Sequence, residues 1–163
     1  MMTDTFREIY DAYAQDVYRY AYWLCQNTAV AEDITSETFA RAWAGRERIR
    51  TETVRAYLIT IARNLYLKQQ PKNTLLTEID YSIESLLPTP ESAVENKMLL
   101  EKVTGYLNQQ SEIDRSAFLL RTVYEMRYAE IARILNISVS NAKVKIHRVR
   151  LKIAQAISET EVV

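Results

Sequence analysis

The chain has 163 residues, 48% of them apolar or aromatic and 26% charged, which is ordinary for a globular protein and enough for one domain or two small ones. Its 21 basic and 21 acidic side chains cancel, which excludes a protein that clings to nucleic acid by bulk charge alone. A single cysteine rules out an intramolecular disulfide, no apolar run is long enough to span a bilayer, and MMTDTFREIYDAY lacks the cationic start and apolar middle of a signal peptide. The expectation is a cytoplasmic protein with no direct membrane insertion. Two glycines and three prolines leave little material for turns, so the expected fold class is all-α.

In a first helix, Thr3 or Asp4 is placed to cap, and Phe6, Ile9, Tyr10, Tyr13, Val17, Tyr20, Ala21 and Leu24 keep helical spacing. Cys25 closes this apolar stretch and reads as a buried, inert thiol. Asn27-Thr28 restarts the chain as a second helix with Ala31, Ile34, Thr38, Phe39, Ala42 and Trp43 inward and Asp33, Ser36, Glu37 and Arg41 outward. Glu32 and Asp33 suit the positive end of that helix's dipole. Gly45 is expected to close the helix in a left-handed conformation.

The next loop concentrates Arg46, Arg48 and Arg50, and Thr51 is placed to cap a third helix with Val54, Tyr57, Leu58, Ile61, Ala62 and Leu65 inward. An angular count puts Arg55, Ile59, Arg63, Tyr66 and Gln70 on its outer side. Cations beside aromatic surface suit unstacked single-stranded bases; an ordinary exposed charged side fits the composition equally well.

Residues 1–70 hold nine basic and nine acidic side chains, residues 71–95 one against five, and residues 96–163 eleven against seven. Two ordered parts joined by an acidic connector account for this pattern. Pro88 and Pro90 exclude a continuous helix in the connector, which reaches about 80 Å when extended. Its apolar residues, Leu75, Leu76, Ile79, Ile83, Leu86 and Leu87, exceed the needs of a spacer and imply packing against a partner or a domain. The second ordered part opens near Val94 with Val94, Met98, Val103 and Leu107 on one helix. Ser111 and Asp114 resemble a capping box for the next, with Ala117, Phe118, Leu120 and Val123 inward.

The most informative stretch is YAEIARILNISVSNAKVKIHRVRLK, from Tyr128 to Lys152. It reads as helix, tight turn, helix. Ile131, Ala132 and Leu135 line the first helix, Asn136-Ile137 interrupts it, and Ser138 caps the second. Val139, Ala142, Ile146, Val149, Ile153, Ala156 and Ile157 then form one buried stripe. At about 100° per residue, the opposite side carries Ser140, Asn141, Val144, His147 and Arg148, flanked by Lys143 and Lys145. No carboxylate lies between Ser138 and Lys152, so the positive flanks read as uncompensated. Such a helix suits the major groove, its cations meeting phosphates while Asn141, Lys143, His147 or Arg148 reaches base edges. His147 has no Cys, Asp or Glu at ligand spacing, so no metal site is expected.

AEDITSETFARAW, RAYLITIARN and YAEIARILNISVSNAKVKIHRVR together resemble the extracytoplasmic-function (ECF) group of bacterial sigma factors in the sigma-70 family. The resemblance implies two small helical domains, at residues 1–70 and 94–163, joined by a flexible acidic linker at 71–93 that relatives thread through the RNA exit region of the polymerase. It implies an alternative sigma factor that binds core RNA polymerase, recognises promoter DNA and is held by an anti-sigma factor. Carried over by position, it implies polymerase contacts at Asp33, Glu37 and Arg41. It implies minus-ten recognition and melting by Arg48, Arg50, Arg55, Arg63, Asn64 and Tyr66. Minus-thirty-five recognition then falls on Lys143, Val144, His147 and Arg148, and the helix's own pattern adds Asn141 and Lys145.

Ser36 stands where the family usually has glutamine, Tyr57 where it has tryptophan, and Asn136 where it has glycine. Asparagine tolerates a left-handed backbone better than most residues. After IARN this chain has Lys68, Gln69, Gln70 and Pro71 in place of an aspartate and arginines. Val144 replaces a small polar residue and fits a thymine methyl. The runner-up reading is a stand-alone, dimeric helix-turn-helix regulator, which predicts a palindromic site. An enzyme is disfavoured: there is no Gly-rich phosphate loop, no metal-ligand cluster and no nucleophile set that the single histidine completes, and no cofactor is expected.

Overall fold

Residues 2–50, 53–69 and 93–161 are described by a computed structural model of the chain, and all their regular structure is helical. The chain divides into two units, Met1–Tyr81 and Ser82–Val163. The first contains α1 (Met2–Cys25), α2 (Thr28–Ala44), a 3₁₀ turn (Arg46–Arg48) and α3 (Val54–Gln69). The second contains α4 (Ala93–Asn108), α5 (Glu112–Thr122), α6 (Tyr128–Leu135) and α7 (Val139–Glu161). Thr51, Gln70 and the connector up to Ser92, with its apolar residues, lie outside the described residues.

In the first unit each helix packs on the other two. Val17, Tyr20, Ala21 and Leu24 of α1, Ala31, Ile34, Phe39 and Ala42 of α2, and Leu58, Ala62 and Leu65 of α3 form its core. Fully burying each large apolar side chain contributes about 1.5–3 kcal/mol. α1 begins at Met2, so Thr3 and Asp4 fall within its first turn instead of capping it. Gln26 ends it at φ 55°. Asn27 caps α2 by accepting from the Val30 N–H at 3.0 Å. The buried hydroxyls of Thr35 and Thr38 are satisfied within α2, donating to Ala31 O at 2.7 Å and Ile34 O at 2.6 Å.

Four expectations for this unit are corrected. α2 starts at Thr28 with no acidic residue in its first turn, so Glu32 and Asp33 sit beyond the reach of the dipole invoked for them. Gly45 is not left-handed: its φ is −101°, and a Cβ there would lie 3.0 Å from Tyr57 Oη, tight enough that the tyrosine would have to yield slightly. Trp43, placed inward, is 37% exposed and stands edge-on to Phe6 at 5.0 Å. Tyr10 is half-exposed as well, edge-on to Phe39 at 4.8 Å.

The second unit is arranged around α7, which packs against α4, α5 and α6. Leu107, Leu119, Leu120, Met126, Ile131, Ile146 and Val149 are buried. Ser111 caps α5 by accepting from the Asp114 N–H at 3.2 Å. Met98, Val123 and Val139, expected inward, are exposed. Val123 caps the end of α5 and Val139 is the first residue of α7, and beside Val123 the buried residues are Leu119, Tyr124 and Met126.

Candidate nucleic-acid interface

α6 ends on Asn136 at φ 55°, ψ 49°, the left-handed conformation that asparagine was expected to accept. Its N–H returns to the last turn of α6, and Ile137 donates to Ala132 O at 3.0 Å. Ser138 then accepts from the Asn141 N–H at 3.0 Å and starts α7. This elbow fixes the phase of α7 on its neighbours. Ala142, Ile146, Val149 and Ile153 turn into the unit, while Ser140, Asn141, Lys143, Val144, His147 and Arg148 are exposed.

The positive flank is not free of counter-charge. Lys145 Nζ donates to Asp114 Oδ1 of α5 at 3.0 Å, with the two side chains only 24% and 30% exposed. Lys143 Nζ lies 5.4 Å from the ring centre of Tyr128. That ring is also covered by the Arg121 guanidinium at 4.3 Å, and Arg121 donates to Met126 O at 2.9 Å. Asp114 and Tyr128 therefore shape the interface although neither was expected to. Asp114 read as a capping residue, and nothing in local spacing shows that a helix start comes beside the residue 31 positions later.

In the first unit the arginine loop leaves α2 at Gly45, whose N–H donates to Arg41 O at 3.0 Å. Arg46 stacks over Trp43 at 4.1 Å and donates to Trp43 O at 2.9 Å. Arg48, Arg50 and Asn64 are exposed, and Arg55 is part-buried. Arg63 and Tyr66 are interior, at 9% and 7% exposure, and so is Ile59. The outer side assigned to α3 by angular count is thereby corrected: α3 packs on both α1 and α2, so its buried arc is wider than one stripe. Arg55, Arg63 and Tyr66 all have partners within the structure.

Asp33, Glu37 and Arg41 share the exposed side of α2, opposite Ala31, Ile34, Thr38 and Ala42. Arg41 Nε donates to Glu37 Oε1 at 3.0 Å, so both charges are held on one solvent-facing ridge. Among the described residues there is no group of three His, Cys, Asp or Glu side chains able to hold a metal ion, and no helix is long and apolar enough to cross a membrane.

Comparison with known families assigns each unit a separate match. Residues 9–74 match sigma-70 region 2, and residues 100–153 match sigma-70 region 4. The chain is 30% identical to the ECF RNA polymerase sigma factor SigM of Bacillus subtilis over 154 residues, covering 91% of this chain and 93% of that protein. It is equally 30% identical to SigW of the same organism, covering 90% of this chain and 86% of the relative. The Bartonella quintana sigma factor RpoE, solved with the anti-sigma factor NepR, has the same fold: TM-score 0.73 at 18% identity, covering 94% of this chain and 97% of that one. The chain belongs to the ECF group of the sigma-70 family and is an alternative RNA polymerase sigma factor.

Proposed function

We infer that the exposed side of α7 reads the minus-thirty-five element of promoters to which this chain brings core RNA polymerase. The observation that carries this is the outward set Val144, His147 and Arg148 on the second helix of a capped helix-turn-helix. Arg148 and His147 offer donors to base edges, Val144 offers an apolar surface to a thymine methyl, and Asn141 and Lys143 reach the backbone or neighbouring bases. Arg48, Arg50 and Asn64, with the part-buried Arg55, form the minus-ten surface. Arg63 and Tyr66 serve it from inside, by fixing how α3 presents that surface.

Asp33, Glu37 and Arg41 form the ridge that docks on polymerase. The domains are residues 1–70 and 94–163, with 71–93 as linker. The chain works in the cytoplasm as a non-catalytic subunit with no cofactor, and its neutral net charge fits a subunit that borrows affinity from the polymerase and contributes selection. Because its structural neighbour RpoE was solved with an anti-sigma factor, an inhibitor of that kind is proposed to control this chain too.

The test is reconstitution. Full-length chain with core polymerase should initiate from promoters mapped after overexpression, and free chain should bind them weakly. Arg148→Ala should cost about 1–3 kcal/mol of promoter discrimination. Tight, specific binding of a palindromic site by the free chain, with no effect on polymerase, would identify a stand-alone regulator instead.

A further inference from the structure

Of the five cations from Ser138 to Lys152, Lys145 is the one paired with a carboxylate among the described residues. Asp114 belongs to α5, in the first turn of that helix, so its place is set by the α5 cap and not by α7. The Ser111 hydroxyl accepts from the backbone N–H of Asp114, and the carboxylate is left to reach across to Lys145. Both side chains are about three-quarters buried, where an ion pair is screened less than at the open surface. A carboxylate at 3.0 Å from an ammonium occupies the position that a phosphate oxygen would take.

We propose that Asp114 is an internal phosphate substitute that withholds Lys145 from the DNA backbone and thereby sets the salt sensitivity and non-specific affinity of the α7 surface. This rests on the assignment of α7 to promoter recognition. DNA phosphate and Asp114 compete for one ammonium, so sequence-independent attraction is held down while Val144, His147 and Arg148, which have no part in the pair, go on reading bases. Asp114 acts through Lys145 and is a positioning residue, not a DNA contact.

The experiment compares promoter binding by holoenzyme carrying wild-type chain, Asp114→Asn, Lys145→Gln and the double variant, across a salt titration. Asp114→Asn keeps the backbone cap and frees Lys145. It should steepen the dependence of log affinity on log salt by about 0.9, so that raising salt from about 50 to about 200 mM costs about 3.5-fold more affinity than in wild type. Non-specific binding should strengthen at low salt. Lys145→Gln should leave the wild-type slope in place, and the double variant should return to it.

An unchanged slope in Asp114→Asn, or a slope reduced by about 0.9 in Lys145→Gln alone, overturns the proposal, because the lysine then either never meets phosphate or meets it already. Should Asp114→Asn melt early, Asp114→Glu keeps the charge and lengthens the reach, and a slope steeper than wild type counts against the pair. Arg148→Ala is the control for the assignment beneath: if it leaves promoter preference intact, the recognition role of α7 fails, whereas if preference shifts while the Asp114→Asn slope stays put, only the present proposal fails.

Discussion

α7 and α3 both carry basic residues, yet they bury themselves differently. α7 keeps a polar side in solvent from Ser140 to Arg148. α3 is enclosed by α1 and α2, and takes Ile59, Arg63 and Tyr66 into the unit with it. A helix whose buried arc is one stripe can be read by angle alone; α3 cannot, because the guanidinium of Arg63 and the phenol of Tyr66, at the margin of its stripe, are covered as well. On α3 the charged Arg63 and the phenol of Tyr66 are interior, whereas on α7 His147 and Arg148 stay exposed.

The contrast is broken most severely by removing the core beneath each helix. Leu58→Ala and Ile146→Ala, both at essentially zero exposure, should each cost about 2–5 kcal/mol. Unfolding of the full chain in urea, followed by a probe in each unit, should show the substituted unit lose stability, and an unchanged midpoint for that unit would contradict its burial. Arg63→Ala and Arg148→Ala are the sharper pair. Arg63→Ala should cost about 1–3 kcal/mol of stability, since a buried, partnered cation is removed. Arg148→Ala should leave melting within about 0.5 kcal/mol of wild type, and reversal of these two outcomes would reverse the assignment of interior and interface.

Smaller effects separate the two turns. Asn136→Ala should destabilise the second unit by about 1 kcal/mol, because alanine pays more for φ 55°, while Asn136→Gly should be near neutral. Gly45→Ala should cost less, because φ −101° suits alanine and only the Tyr57 hydroxyl must yield, and Tyr57→Phe, which removes the oxygen 3.0 Å from the new Cβ, should recover the loss. A cost at Gly45 that Tyr57→Phe leaves untouched would point back to backbone conformation. Smallest of all, Glu37→Gln breaks an exposed pair worth about 0.3–0.5 kcal/mol. Thermal stability should barely move, so any larger loss in a polymerase pull-down measures docking itself.

The helix-turn-helix was legible in sequence because its signals are local: an asparagine at the elbow, a serine cap, and a stripe with one period. The outward set on α7 followed directly. The Asp114–Lys145 pair was illegible for the opposite reason, since it joins helices that local spacing cannot bring together. Trp43 shows a third limit. Its spacing marked it as core, and it does meet Phe6, but it lies in the last turn of α2, where part of the ring stays open and Arg46 covers a face.

That covering has a mechanical side. With its guanidinium on the indole and one N–H on the Trp43 carbonyl, Arg46 moors the start of the loop to the last turn of α2. Arg48 and Arg50 follow two and four residues later, so their Cα atoms lie on tethers of at most about 7 and about 14 Å. Whatever these arginines grip must come within that leash plus the reach of a side chain, and a single residue inserted after Arg46, inside the 3₁₀ turn, would lengthen it by about a quarter at Arg50.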